Sequence, residues 1–228
     1  MVELDLRQPR SIWEIFSAAL RTYQRFPVLF LTLSLILEVP VQVLVAILSN
    51  EKHGASTSAA LIALLIEFVL VSPTMAVLQA QAVLILGEGR TPTLNEALKL
   101  ALPVLPAAIA AEIIAGIGIG VGLFLFILPG ILLLLRWAVV AQAAAIERTD
   151  WPTAIRRSTQ LTRRNSLRVL AVLLLGVLFS EIPTQVANTS NGLGPTIVSI
   201  ALLVLVAPLV SLLTTYLYFD LRAREALD

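Results

Sequence analysis

Between Phe26 and Phe219 the chain is a succession of long apolar runs, and most of its charge is confined to the short stretches between them. A helix needs about 20 residues to cross the hydrocarbon core of a bilayer, which is roughly 30 Å thick. No water is available there to bond exposed backbone groups, so each crossing segment must satisfy its own N–H and C=O groups. Runs of this length imply an all-α bundle of membrane-spanning helices. Composition agrees: 58% of the 228 residues are apolar and 14% charged, against roughly 25% charged in soluble domains.

Six spans are expected, at about 26–48, 59–86, 103–127, 130–147, 166–186 and 195–219, in a single membrane domain covering 1–228. Three amphipathic helices are expected on one side, at about 11–25, 93–102 and 150–164. Ser11-Ile-Trp-Glu14 and Thr93-Leu-Asn-Glu96 match the capping box that starts a helix. Asp150 is a suitable N-cap, with Pro152 tolerated in the first turn behind it.

Ile12, Ile15, Phe16, Ala19, Leu20 and Tyr23 recur at helical spacing in the first of these helices, as do Leu94, Ala97, Leu98, Ala101 and Leu102 in the second. In the third, Trp151, Ala154, Ile155, Ser158 and Leu161 oppose Arg156, Arg157, Arg163 and Arg164. All three read as interfacial helices lying along the membrane surface. A capped helix followed by a hairpin, three times over, suggests a threefold internal repeat about an axis along the membrane normal. A six-helix protein whose connectors merely fall on one side accounts for the same pattern.

Pro129-Gly130 divides an apolar stretch too long for one span and reads as a tight hairpin. Before it, Gly116, Gly118, Gly120 and Gly122 form two overlapping G-x-x-x-G pairs that permit close helix approach. The N-terminal stretch holds Glu3, Asp5 and Glu14 and no short apolar core, so no cleaved signal peptide is expected.

Under the six-span reading, fourteen of the sixteen Lys and Arg residues fall on one face. They are Arg7, Arg10, Arg21, Arg25, Arg90, Lys99, Arg148, Arg156, Arg157, Arg163, Arg164, Arg168, Arg222 and Arg224, with Lys52 opposite and Arg136 inside a span. The positive-inside rule then places both termini in the cytoplasm of a multi-pass plasma-membrane protein.

Glu38, Glu67, Glu112, Glu181 and Arg136 lie within the expected spans. Ionisable residues there cost roughly 2.5 to 3.5 kcal/mol on insertion scales, and they face the bundle interior or a watery cavity. Counting about 1.5 Å per residue places Arg136 and Glu181 each about 9 Å below the outer end of its span. Equal depth makes them the preferred ion pair. Glu38, Glu67 and Glu112 fall nearer the midplane, at about 13 to 15 Å, where the three surround one polar cavity on the functional reading. On the structural reading, protonated glutamates and one salt bridge simply hold helices together. Pro40 and Pro183, each two residues after a glutamate, are placed to kink their helices and free a carbonyl beside it. Glu147 meets the cytoplasmic interface and is expected to clamp the third amphipathic helix through Arg156 and Arg157, while Arg163, Arg164 and Arg168 face anionic lipid headgroups.

The second half carries a resemblance. Leu128-Pro-Gly-Ile, Arg136-Trp137, Glu147, Ala154-Ile-Arg-Arg-Ser158 with Leu161-Thr162, and Leu217-Tyr-Phe-Asp-Leu-Arg222 with Arg224-Glu225 resemble the membrane domain of glycerophosphoryl diester phosphodiesterases and its standalone bacterial relatives. Thr159 stands where relatives tend to have Trp, and the aromatics usual near Ser166-Leu167 are missing. The resemblance implies a membrane part without the soluble catalytic barrel, whose paired histidines and metal-binding carboxylates have no counterpart here. It also implies a connection with lipids.

With no cysteine and a single histidine, His53, the chain offers no thiolate nucleophile, no metal site and no cofactor site. A net charge of +1 gives no basis for a nucleic-acid partner. The leading expectation is a non-enzymatic membrane protein with a structural, lipid-interacting or partner-binding role, the protein partner unspecified. The alternative is a small transporter or channel that uses the intramembrane glutamates. An intramembrane lipid-modifying enzyme is disfavoured, because no His, Cys or Asp cluster supplies a nucleophile or metal site.

Overall fold

The computed structural model describes residues 6, 8–48, 62, 65–187 and 193–227. The expected loop 49–58 with Lys52 and His53, the start of the second span at 59–61, Arg7 and most of the loop 188–194 lie outside the described residues. Among those described, the helices are α1 (Ile12–Arg25), α2 (Pro27–Leu48), a π-helical turn (Glu67–Val71) running into α3 (Ser72–Gly87), α4 (Leu94–Ala101), α5 (Leu105–Leu125), α6 (Ile127–Arg136), α7 (Val140–Glu147), α8 (Trp151–Arg163), α9 (Ser166–Ala187) and α10 (Leu193–Glu225). Six segments are long and apolar enough to cross a membrane: Pro27–Leu44, Glu67–Gly87, Leu105–Leu125, Ile127–Glu147, Ser166–Val186 and Gly194–Glu225.

The helices sort by how much of their circumference is covered. From Met75 to Val83 on α3, from Val140 to Ala145 on α7 and from Leu212 to Leu221 on α10, nearly every residue is buried. These three stretches pack together, and one short helix covers each: α1 lies on α10, α4 on α3 and α8 on α7. Elsewhere the apolar side chains point outward. On α5 and α6, Ile117, Val121, Phe124 and Ile131 are exposed, as are Leu174 and Leu178 on α9. A surface of this kind suits lipid tails, because hydrocarbon is as good a neighbour as another apolar side chain.

The expected turn at Pro129-Gly130 is displaced. The chain reverses at Phe126, which is fully extended (φ −154°, ψ 128°), and Pro129 and Gly130 belong to α6. A proline in a first turn forgoes only an N–H that has no intrahelical partner anyway, so Pro129 is tolerated there. Gly130 is needed for proximity: a Cβ on it would lie 2.5 Å from the Leu123 backbone nitrogen, and one on Gly122 only 3.0 Å from the Gly130 Cα. Gly118 accepts the Trp137 ring in the same way. Of the four glycines, Gly120 meets nothing.

The fourth span is also broken, between α6 and α7 at Trp137–Val139. A break at membrane depth leaves backbone groups that must find partners, and α8 supplies them. Ser158 Oγ donates to the Arg136 carbonyl (2.8 Å) and accepts from the Val139 N–H (3.4 Å), while Thr162 Oγ1 donates to the same carbonyl (3.1 Å). Arg148 then closes α7 in the left-handed conformation (φ 51°), which turns the chain into α8.

Arg10, just ahead of α1, meets the last turns of α10. The last helix runs past the expected end of its span at 219, on to Glu225. Over 33 residues α10 is about 50 Å long at ~1.5 Å per residue, so one end of it lies beyond any hydrocarbon core.

Candidate cavity and polar network

A cavity of about 260 Å³ sits where all six spanning segments meet. Glu38 reaches it from the middle of α2, Glu67 from the π-helical turn and Glu112 from α5. Ser72, Gln142, Ser180, Ser211 and Thr214 complete its polar lining. No lining residue is cationic. Glu38 is 3% exposed, and neither its Oε2 nor the Oε2 of Glu67 has a hydrogen-bond partner; the Ser211 hydroxyl is equally unpartnered. Gln142 is held by donating to Thr214 Oγ1 (2.9 Å). Leu203, Val206 and Val210 of α10 add apolar groups to the lining.

The π-helical turn bears on how Glu67 is placed. The Ser72 N–H bonds to the Glu67 carbonyl five residues back, one residue more than an α-helix uses, and such insertions are frequent at functional sites. Among the described residues no group of three His, Cys, Asp or Glu is placed to hold a metal ion.

At the end of the bundle that carries α1, α4 and α8, charges are matched instead. Asp220 is 1% exposed. It accepts the Arg10 backbone N–H (2.6 Å) and pairs with Arg224 (3.1 Å) and Arg168 (3.4 Å). Both guanidinium groups also donate to the Arg10 carbonyl, at 2.6 Å from Arg168 and 2.9 Å from Arg224. A second knot joins α7, α8 and α10: Arg157 bonds Glu147 at 2.6 Å and grips both oxygens of Glu225 at 2.6 and 2.7 Å, while the Tyr218 hydroxyl donates to Glu147 (2.6 Å). Bidentate pairing with Glu225, and then the bond to Glu147, holds the Arg157 guanidinium even more firmly protonated than usual.

The expected site residues therefore separate. Glu38, Glu67 and Glu112 share one cavity, whereas the Arg136–Glu181 pair is not formed. Glu181 is exposed on α9 while its neighbour Ser180 lines the cavity, and the Arg136 Nη1 is buried without a partner. Arg157 makes the clamp with Glu147, and Arg156 points outward. Arg163 and Arg164 are exposed, but Arg168 turns inward to Asp220. Ser11 and Glu14 form the full capping box, and Thr93 caps α4 while Glu96 turns to Arg90. Asp150 makes no side-chain cap bond.

Sequence reasoning missed Asp220 as the group that binds Arg10, Arg168 and Arg224 together, and Ser72, Gln142 and Thr214 as cavity groups. The signal for the latter was available: each is a polar residue inside an apolar span.

Fold and cavity together define a helical protein with six segments able to cross a membrane. Compared with protein-family models, curated proteins and solved structures, the chain matches none.

Proposed function

We propose that the protein is a small multi-pass plasma-membrane transporter that handles cations through its central cavity, without enzymatic chemistry. The observation that carries this reading is the meeting of three carboxylates from three helical segments, with no cationic side chain, in a cavity to which every span contributes. A purely structural role for these glutamates calls for their oxygens to be bonded; instead the Oε2 atoms of Glu38 and Glu67 are buried without a partner, on residues that line the cavity. Binding groups near the centre of a bundle, beside interrupted helices, are the usual arrangement in transporters, and both the π-helical turn and the α6–α7 break lie beside this cavity.

Three finer elements accompany the proposal. Both termini are cytoplasmic, as the arginine distribution implies. The helices α1, α4 and α8 are interfacial, and the cyclic way in which each covers the central helix of the preceding unit supports a threefold repeat. The resemblance to the membrane domain of glycerophosphoryl diester phosphodiesterases is in keeping with a chain that acts in the membrane, since its motif residues Ser158, Glu147 and Asp220 hold helices together rather than face a substrate.

Reconstitution into vesicles tests the proposal. Under imposed gradients of protons, sodium, potassium and n-butylammonium, at least one cation is expected to move faster than through empty vesicles, and Glu38→Gln is expected to abolish the difference. Equal rates for every cation with and without protein would sink it.

A second reading has its own observation. Arg156, Arg163 and Arg164 are exposed along α8 beside the half-exposed Trp151, an outer face suited to anionic lipid headgroups at about 1 kcal/mol per basic residue. Lipid contact of this kind, or a protein partner there, is compatible with transport. Flotation of the protein with and without anionic lipid, after Arg163→Gln and Arg164→Gln, measures it.

A further inference from the structure

Resting on the transport reading and sharpening it, we propose that the ligand of the cavity is a small organic ammonium ion, with a cationic head and a short hydrocarbon tail. The argument starts from unmet acceptors. Glu38 is 3% exposed and its Oε2 has no partner, the Glu67 Oε2 and the Ser211 Oγ are likewise unbonded, and all three residues line the same space. What is missing is a donor that also brings positive charge. An ammonium group offers up to three N–H donors and no acceptor, which complements carboxylates set around a space rather than on one point.

A bare metal ion fits less well. Calcium takes about six to eight oxygens at roughly 2.3–2.6 Å, and magnesium demands near-octahedral geometry. Glu38, Glu67 and Glu112 come from separate segments, and they do not converge as a metal-holding group.

Size and wall chemistry supply the tail. The cavity is about 260 Å³, against about 30 Å³ for the share of one water in the liquid, so it holds several heavy atoms beyond the charged head. Leu203, Val206 and Val210 of α10, with Val71 and Met75, add hydrocarbon to the lining. Pockets with a mostly apolar wall and a few placed polar groups orient ligands that have both characters. The charged head belongs with the glutamates, and the tail lies along α10.

The test uses purified full-length protein in detergent, titrated with n-butylammonium chloride and followed by calorimetry and thermal melting. Methylammonium, sodium and 1-butanol are the comparisons at matched ionic strength. Butylammonium is expected to bind saturably and raise the melting temperature, methylammonium to bind at least tenfold more weakly, and sodium and 1-butanol to leave both signals unchanged. Glu38→Gln is expected to weaken butylammonium at least tenfold. Glu112→Gln serves as the second variant should the first elute as aggregate in gel filtration. Equal binding by wild type and a folded variant overturns the site. Glu38-dependent flux of protons, sodium or potassium without butylammonium binding overturns the ligand class and leaves the transport reading standing. Absence of both flux and binding overturns both.

Discussion

Asp220 and Glu38 are buried alike, at 1% and 3% exposure, and live in opposite circumstances. Asp220 has two guanidinium groups and a backbone N–H around it. Glu38 shares its cavity with two further carboxylates and no cation. Removing a carboxylate from water costs several kcal/mol unless charges and hydrogen bonds are returned to it. At the end bearing α1, α4 and α8 the chain returns them from its own residues, and the result is a lock that joins Arg10, just ahead of α1, to α9 and α10. In the cavity it leaves them unreturned, so the site has capacity for a charge from outside. The same residue chemistry holds the fold together in one place and creates a demand for a ligand in the other.

The sharpest way to break this comparison is Asp220→Asn, which leaves Arg168 and Arg224 facing each other across an uncharged group. Loss of one partner of a buried pair costs about 3–5 kcal/mol, so the variant is expected to melt far below wild type in detergent or to aggregate; unchanged melting would show that the lock carries no weight. Next in size is the double change Ser158→Ala with Thr162→Ala, which orphans the Arg136 carbonyl and the Val139 N–H at the helix break. About 1–3 kcal/mol is expected for buried groups left unbonded, read as lowered melting and as faster amide exchange around Val139.

Smaller again is Ser11→Ala, which removes the N-cap of α1 and should cost about 1 kcal/mol. The Glu14 carboxyl is pulled below its usual value of 4.5, first by the Ser11 N–H and then by the Ser11 hydroxyl. What that adds to stability is present above the usual value and lost as pH falls through the lowered one. Wild type and Glu14→Gln, which keeps an acceptor without the charge, should therefore draw closer in melting temperature on acidification; a constant gap would exclude the Glu14 carboxylate from the cap. The smallest stability effect is expected for Glu38→Gln, a change of nearly equal volume at a side chain whose Oε2 has no partner to lose. A large loss of melting temperature there would mean that Glu38 is held by the fold after all.

Much of the fold was legible along the chain. Spans and capped helices announce themselves locally, in unbroken apolar runs and in pairs such as Ser11 with Glu14. The errors share one cause. Depth along a helix is countable, but the direction in which a residue faces is not read so easily: Arg136 and Glu181 matched in depth, yet a step of one residue turns a helix by about 100°, enough to give the cavity Ser180 and leave Glu181 outside. The turn at Phe126 was missed because Pro129 and Gly130 look like a turn and instead serve a first helical turn and a close contact. For the cavity, three carboxylates at similar depth were foreseeable from their positions; Gln142 and Thr214 stood out as polar residues inside apolar spans, but the direction in which they face did not.

The sequence alone determined that this is a helical chain with long membrane-suited segments, because apolar length and the need to bond the backbone are satisfied within each segment by itself. Only the tertiary structure decided which buried acid is neutralised and which is left open. That choice depends on the rotation and register of one helix against the next, and no single stretch of chain contains it.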